Sequence, residues 1–95
     1  MTILQIEHRV SDYGEWKKLF DSDPGDRAGS GVKAHRLASP SGDDSLVLIE
    51  LHFDDTAKAE AMLEKLRKIW GNVSGGIMTS PPEARIVEVR ESVEY

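Results

Sequence analysis

The sequence predicts a single α+β domain in which two helices lie on one face of a four-stranded antiparallel sheet. Three observations predict it. Four short segments carry the alternation of strands and two carry the 3.6-residue period of amphipathic helices, in the order strand, helix, strand, strand, helix, strand. The 95 residues, 1–95, hold no repeat, low-complexity segment or dividing linker, so they read as one domain. Finally, the segment Ser45 to Phe53 has no fully wet face: Val47, Ile49, Leu51 and Phe53 point one way, Leu46, Leu48, Glu50 and His52 the other. Such a strand belongs in the middle of a sheet with a cover on each side.

Each element has its own signal. Residues 2–10 alternate, with Leu4, Ile6, His8 and Val10 on one face and Ile3, Gln5, Glu7 and Arg9 on the other. Asp12 with Glu15 forms an N-cap and capping box, and Tyr13, Trp16, Leu19 and Phe20 follow as the inward stripe of the first helix, which ends near Asp21. The stretch 21–31 holds three glycines and a proline and reads as a turn-rich connection. Its glycine spacing matches no phosphate-binding motif, and a lid over a pocket would use the same residues. The second strand runs from about Val32 to Ala38 and bears His35, on a face that the pattern leaves unassigned. The turn Ser39 to Asp44 then joins it to the third strand as an antiparallel hairpin.

Asp54 or Asp55 caps the second helix, whose stripe is Ala59, Met62, Leu63, Leu66 and Ile69. Its last turns carry Lys65, Arg67 and Lys68 against the negative dipole end, and Gly71 and Asn72 supply the stop. The loop 72–82 leads to a fourth strand at about Ala84 to Val89, with Val87 and Val89 expected on the core face and Ile86, Glu88 and Arg90 on the open face. The tail 91–95 is unassigned. This order is the ferredoxin-like split βαβ pattern, βαββαβ, whose first and third strands are central; here those two are the most apolar.

That topology leaves one sheet face open, and composition limits what covers it. A net charge of −5 disfavours nonspecific attraction to nucleic acid or anionic lipid, and the open face lacks the aromatics that stack bases. No segment approaches the ~20 apolar residues of a membrane span. The chain has no cysteine, which closes thiol chemistry and thiolate metal sites, and the N-terminus shows no leader pattern, so a soluble cytoplasmic protein is expected. A second copy of the same sheet is the simplest cover, giving a homodimer that encloses the charged open-face groups in a lined cavity.

The stretch His8-x-Val10-x-Asp12-Tyr13-x-x-Trp16-Lys17-x-x-Phe20-Asp21, then Asp23-Pro24-x-x-Arg27, Gly31-Val32 and Leu51-x-Phe53-Asp54, resembles the dimeric α/β-barrel superfamily, in particular the small antibiotic-biosynthesis-monooxygenase-like and "cyclase"-labelled proteins. The resemblance covers nearly the whole chain. It implies a dimer whose sheets form a shared barrel, with a pocket between sheet and helices or within the barrel. It also implies relatives that include cofactor-independent oxygenases of polycyclic phenols and haem-degrading enzymes. The haem branch needs a proximal histidine near the end of the second helix, whereas no histidine follows His52, and the first strand reads Gln5-Ile6-Glu7 where an asparagine is usual. No cofactor and no metal are therefore expected.

Candidate site residues follow from chemistry. Glu50 and His52 are two apart on one strand face, so the carboxylate can orient and charge the imidazole as a general base on a phenol or an acidic carbon. With Glu7 or Glu88 the same groups would furnish a His/carboxylate metal site, and with Arg9 and Arg90 a purely structural ion network. His8 sits at the core edge, in reach of a pocket mouth. Tyr13, Trp16 and Trp70 are core aromatics or the walls of a substrate-binding pocket. The sequence thus points to a homodimer binding an apolar or aromatic small molecule, as a cofactor-independent oxygenase or as a cyclase or isomerase. The alternative is a noncatalytic dimeric ligand-binding or structural module.

Overall fold

The structure, a computed structural model, describes residues 1–72 and 76–95. Strands β1 (Thr2–Arg9), β2 (Ala34–Ala38), β3 (Leu46–Phe53) and β4 (Glu83–Glu88) form one antiparallel sheet in the order β2-β3-β1-β4, with helices α1 (Tyr13–Asp21) and α2 (Thr56–Asn72). The two strands richest in apolar residues are the central ones. That placement buries them from both sides of the hydrogen-bonding direction, and the sheet is the ferredoxin-like one that the element order predicts.

Register decides which residues face the helices, because antiparallel partners share a face. Leu4 pairs with Leu51, Ile6 with Ile49 and His8 with Val47, and these residues, with Phe53, are buried. Trp16, Ala59 and Met62 close the core from the helices, with Phe20, Leu63, Leu66 and Trp70 packed around them. Asp12 caps α1, its Oδ1 accepting the Glu15 amide at 2.9 Å, and Asp55 does the same for α2, accepting the Lys58 amide at 2.9 Å.

Three expectations are corrected. The faces of β4 are exchanged: Ile86 pairs with Leu4 and Ala84 with Ile6, so Ala84, Ile86 and Glu88 face the helices, while Arg85 and Val87 lie on the open face. Val89 lies beyond the strand and is exposed. The cause is a polar clasp, in which the Glu88 carboxylate accepts hydrogen bonds from the buried Thr2 hydroxyl at 2.9 Å and from the Thr56 hydroxyl at 2.5 Å, joining β1, β4 and the start of α2. Second, α2 runs through Gly71 and Asn72, and the Asn72 side-chain amide donates to the Lys68 carbonyl at 3.1 Å, so the last turn carries no basic residue. Third, β2 begins at Ala34, because the chain from Asp23 to Val32 is folded into successive turns. Within β2, His35 and Leu37 share the helix face and Arg36 the open face, opposite Glu50. Of the loop 72–82, residues 73–75 lie outside the described residues.

Candidate active site

Between the helices, the turn 22–31 and the inner face of the sheet lies an apolar cavity of about 80 Å³ that opens to the surface through a wider mouth. Ile6 and Ile49 form its floor, Trp16 and Phe20 one side, Met62, Leu66 and Trp70 the other, and Pro24, Gly25 and Arg27 the wall made by the turn. Gly25 is buried there, and a Cβ on it would meet the Met62 methyl at 3.0 Å, so the turn packs directly against α2. Lys65 reinforces that contact by donating to the Gly25 carbonyl at 3.0 Å.

His8 is the imidazole of this cavity. Its position at the end of β1 is 3 % exposed, and its Nδ1 lies 3.2 Å from the Arg9 carbonyl oxygen. A carbonyl only accepts, so Nδ1 carries the proton and Nε2 the lone pair. Nε2 makes no hydrogen bond to the protein among the described residues, and the His8 ring is part of the cavity lining. Burial lowers the His8 pKa, the bond to the Arg9 carbonyl opposing in part, so the ring is neutral at pH 7. Trp16 meets it edge-on at 5.7 Å between ring centroids and passes the stack on to Phe20 at 5.2 Å. Tyr13 packs on Trp16 at 5.9 Å from outside the cavity lining.

The predicted site residues therefore divide between two faces. His8, Trp16 and Trp70 come together at the cavity, drawn from the end of β1, the first turns of α1 and the end of α2. Glu50 and His52 lie across the sheet. His52 Nε2 stands 3.2 Å from Glu50 Oε1, so the two do meet, and Glu50 also lines a shallow open-face groove with Gln5, Glu7, Leu48 and Arg85. One protomer cannot use both sets on one ligand, because alternate residues of a strand are separated by the sheet itself.

Within one protomer, and among the described residues, neither Arg9 nor Arg90 pairs with Glu50 or His52. Arg9 turns to Asp43 at 3.3 Å and to the Ser45 hydroxyl at 3.0 Å, and Arg85 is the cation that reaches Glu7, at 3.4 Å. Glu88, offered as a third metal ligand, is in the clasp on the other face. Among the described residues no group of three His, Asp or Glu side chains is arranged to hold a metal ion.

Arg27 is the functional candidate to which sequence reasoning assigned no role. Its signal was present in Asp23-Pro24-x-x-Arg27, yet a turn-rich segment gives no parity from which to infer facing. Asp23 and Asp26 adopt left-handed φ values of 56° and 49°, which Asp tolerates better than most residues. Asp23 Oδ1 then accepts the Arg27 amide at 3.0 Å, and this turn sets Arg27 in the cavity wall with its guanidinium against Phe20.

A ferredoxin-like sheet with an apolar pocket under its helices defines the class: the fold is that of the antibiotic biosynthesis monooxygenase-like proteins. Among solved structures, the chain is similar to SnoaB, a cofactor-independent oxygenase from Streptomyces nogalater, with a TM-score of 0.72 and 15 % identity over 99 % of this chain and 97 % of that one. It is similar also to MhuD, solved with two manganese protoporphyrin IX molecules per active site (0.71, 16 %, all of both chains). A third is a dimeric ferredoxin-like protein from an uncultured marine organism (0.65, 8 %, 99 % and 98 %). Neither a protein-family model nor a curated protein matches the sequence. At these identities the likeness establishes the fold, and activity has to be argued from the site. Helix α2 carries Trp70 near its end and no histidine.

Proposed function

We propose that this chain is a cofactor-independent monooxygenase-like enzyme that binds an apolar or aromatic small molecule between helices and sheet, and that His8 is its general base. The observation that carries this reading is a neutral imidazole of fixed tautomer that lines an apolar cavity and whose second nitrogen has no hydrogen-bond partner among the described residues. A base of that kind takes a proton from a phenol or from a carbon next to a carbonyl. The Nδ1–H bond to the Arg9 carbonyl strengthens as the ring becomes charged. The resulting anion is electron-rich enough to reduce dioxygen directly, with no metal or flavin. Trp16 and Trp70 supply the flat walls that a ring system packs against. The likeness to a cofactor-independent oxygenase supports the reaction class, and the likeness to a dimeric protein supports assembly as a dimer.

A second reading rests on the 3.2 Å contact between His52 and Glu50. In a sheet-to-sheet dimer this pair is enclosed, either as a base and its orienting carboxylate or as the ion pair of a noncatalytic module. One assay separates the two. Anthrone is supplied with dioxygen, and anthraquinone and oxygen uptake are followed, one dioxygen giving one quinone and one water. His8→Phe is expected to lower the rate by roughly 100-fold or more, as removal of a general base does, with the fold retained by circular dichroism, while His52→Ala keeps it. Oxygen uptake no faster than in buffer, or a rate indifferent to His8→Phe, overturns the leading reading; loss of activity only in His52→Ala transfers the role to the open face.

A further inference from the structure

The turn between α1 and β2 sets a cation into the wall of an otherwise uncharged pocket. Among the groups lining the cavity, only Arg27 carries a fixed charge. Its side chain is 17 % exposed, and its guanidinium carbon lies 3.8 Å above the centre of the Phe20 ring. Nη1 donates to the Phe20 carbonyl at 2.9 Å, so position and tilt are both fixed. The nearby Asp23 carboxylate pairs with it at long range, Oδ1 standing 3.4 Å from Nη1, and that oxygen already accepts the Arg27 amide.

A guanidinium has five N–H donors in a planar fork. Among the described residues, Nε and Nη2 donate to no protein acceptor. Pinning the turn needs only Nη1 and the backbone amide, so the remaining donors are surplus to a structural role. Cation desolvation in an apolar wall is offset when an anion completes the fork, and a carboxylate does so with two parallel bonds. The opposite polarity holds at His8, whose lone pair repels an anion and accepts a proton.

Building on the pocket reading above, we infer that the pocket selects an apolar ring system bearing a carboxylate, and that Arg27 is the residue that grips it. The ligand's acidic proton then belongs at the His8 end and its carboxylate at the Arg27 end. The other walls supply shape alone.

The test compares 2-naphthoate with 2-naphthamide, its uncharged isostere, binding to the full chain by tryptophan fluorescence and calorimetry. Wild-type protein is expected to prefer the acid by about tenfold or more. Arg27→Gln should bring the ratio near one through weaker acid binding, with the amide unchanged, and Arg27→Lys should retain part of the preference. A merely structural arginine would instead weaken both probes together. Equal binding of acid and amide by the wild type overturns the inference and leaves the pocket reading standing; failure of both probes to bind overturns both. Should Arg27→Gln not fold, a salt titration of the wild type decides, since only a charge-gripped acid loses affinity as ionic strength rises; acid and amide responding alike would overturn it.

Discussion

Leu48→Glu separates an open-face dimer from a free sheet. Leu48 sits at the middle of β3, paired with Glu7 on one side and Ala38 on the other, and its side chain is half-buried on the face away from the helices. In the monomer a change there touches none of the buried core. In a twofold dimer formed by the two open faces, the same residue is buried twice. Completing the burial of a half-exposed leucine is worth about 1 kcal/mol, so the pair contributes about 2 kcal/mol, or roughly 30-fold in dimer affinity. The substituted carboxylates add desolvation and repulsion from Glu7 and Glu50, which raises the expected loss to roughly 100-fold or more.

The assay is sedimentation velocity over a dilution series, with thermal melting of each species. Wild-type protein should sediment as a dimer at micromolar concentration and Leu48→Glu as a monomer. Leu48→Thr, which removes apolar area without adding charge, should fall between them. A wild-type monomer at that concentration refutes assembly through this face, as does a Leu48→Glu variant whose dimer affinity is unchanged.

Two further expectations concern pH. Burial makes His8 resist protonation in the folded chain, whereas the unfolded chain takes the proton near the ordinary value of 6.5. The folded state should therefore lose stability as pH falls through 6.5 toward the lower folded pKa, with nothing lost above it. Urea midpoints should show that slope in wild type and a shallower one in His8→Gln, and identical slopes would contradict the assignment. Glu88 runs the other way: hydrogen bonds from Thr56 and then Thr2 hold its pKa below the ordinary 4.5, so its contribution is present above that pH and lost as pH falls through the folded value. Glu88→Ala should lower Tm at neutral pH, and its deficit should shrink under acid; a deficit equal at both pH values would show that the clasp acts through packing instead.

Much of the fold was legible because local signals and burial agree. Asp12 with Glu15 marks the start of α1, and the alternation in β1 and β3 assigns Leu4, Ile6, Val47 and Ile49 to the core before any contact is seen. In β4 the same method failed. Parity alone permits Arg85, Val87 and Val89 on one side with Ile86, Glu88 and Arg90 on the other, and both sets mix apolar with charged groups. What selects between them is the clasp of Thr2, Thr56 and Glu88, a contact across 86 residues that no local window contains. The candidate site was half legible for a related reason. The strand pattern put His8 at the core edge and the helix stripe put Trp16 inward, but that they meet Trp70 around one cavity is a matter of tertiary packing, and Arg27 enters through a turn that has no periodicity to read.

The two-faced strands make the sheet a partition with separate chemistry on each side. On β1, Ile6 and His8 serve the cavity while Glu7 and Arg9 face away; on β3, Ile49 serves it while Glu50 and His52 face away. The cavity side keeps its imidazole neutral by burial, and the open side keeps its carboxylates beside Arg85 and His52. A dimer formed on the open side would therefore leave His8 untouched and act on the pocket only through the backbone of the shared strands. Any coupling of that kind is reciprocal in free energy, so a ligand held at His8 and Arg27 must tighten the dimer by the same factor by which dimerisation tightens the ligand. Measuring ligand affinity in wild type and in Leu48→Glu gives that factor directly, and a factor of one would mean that the open face assembles the protein without tuning its pocket.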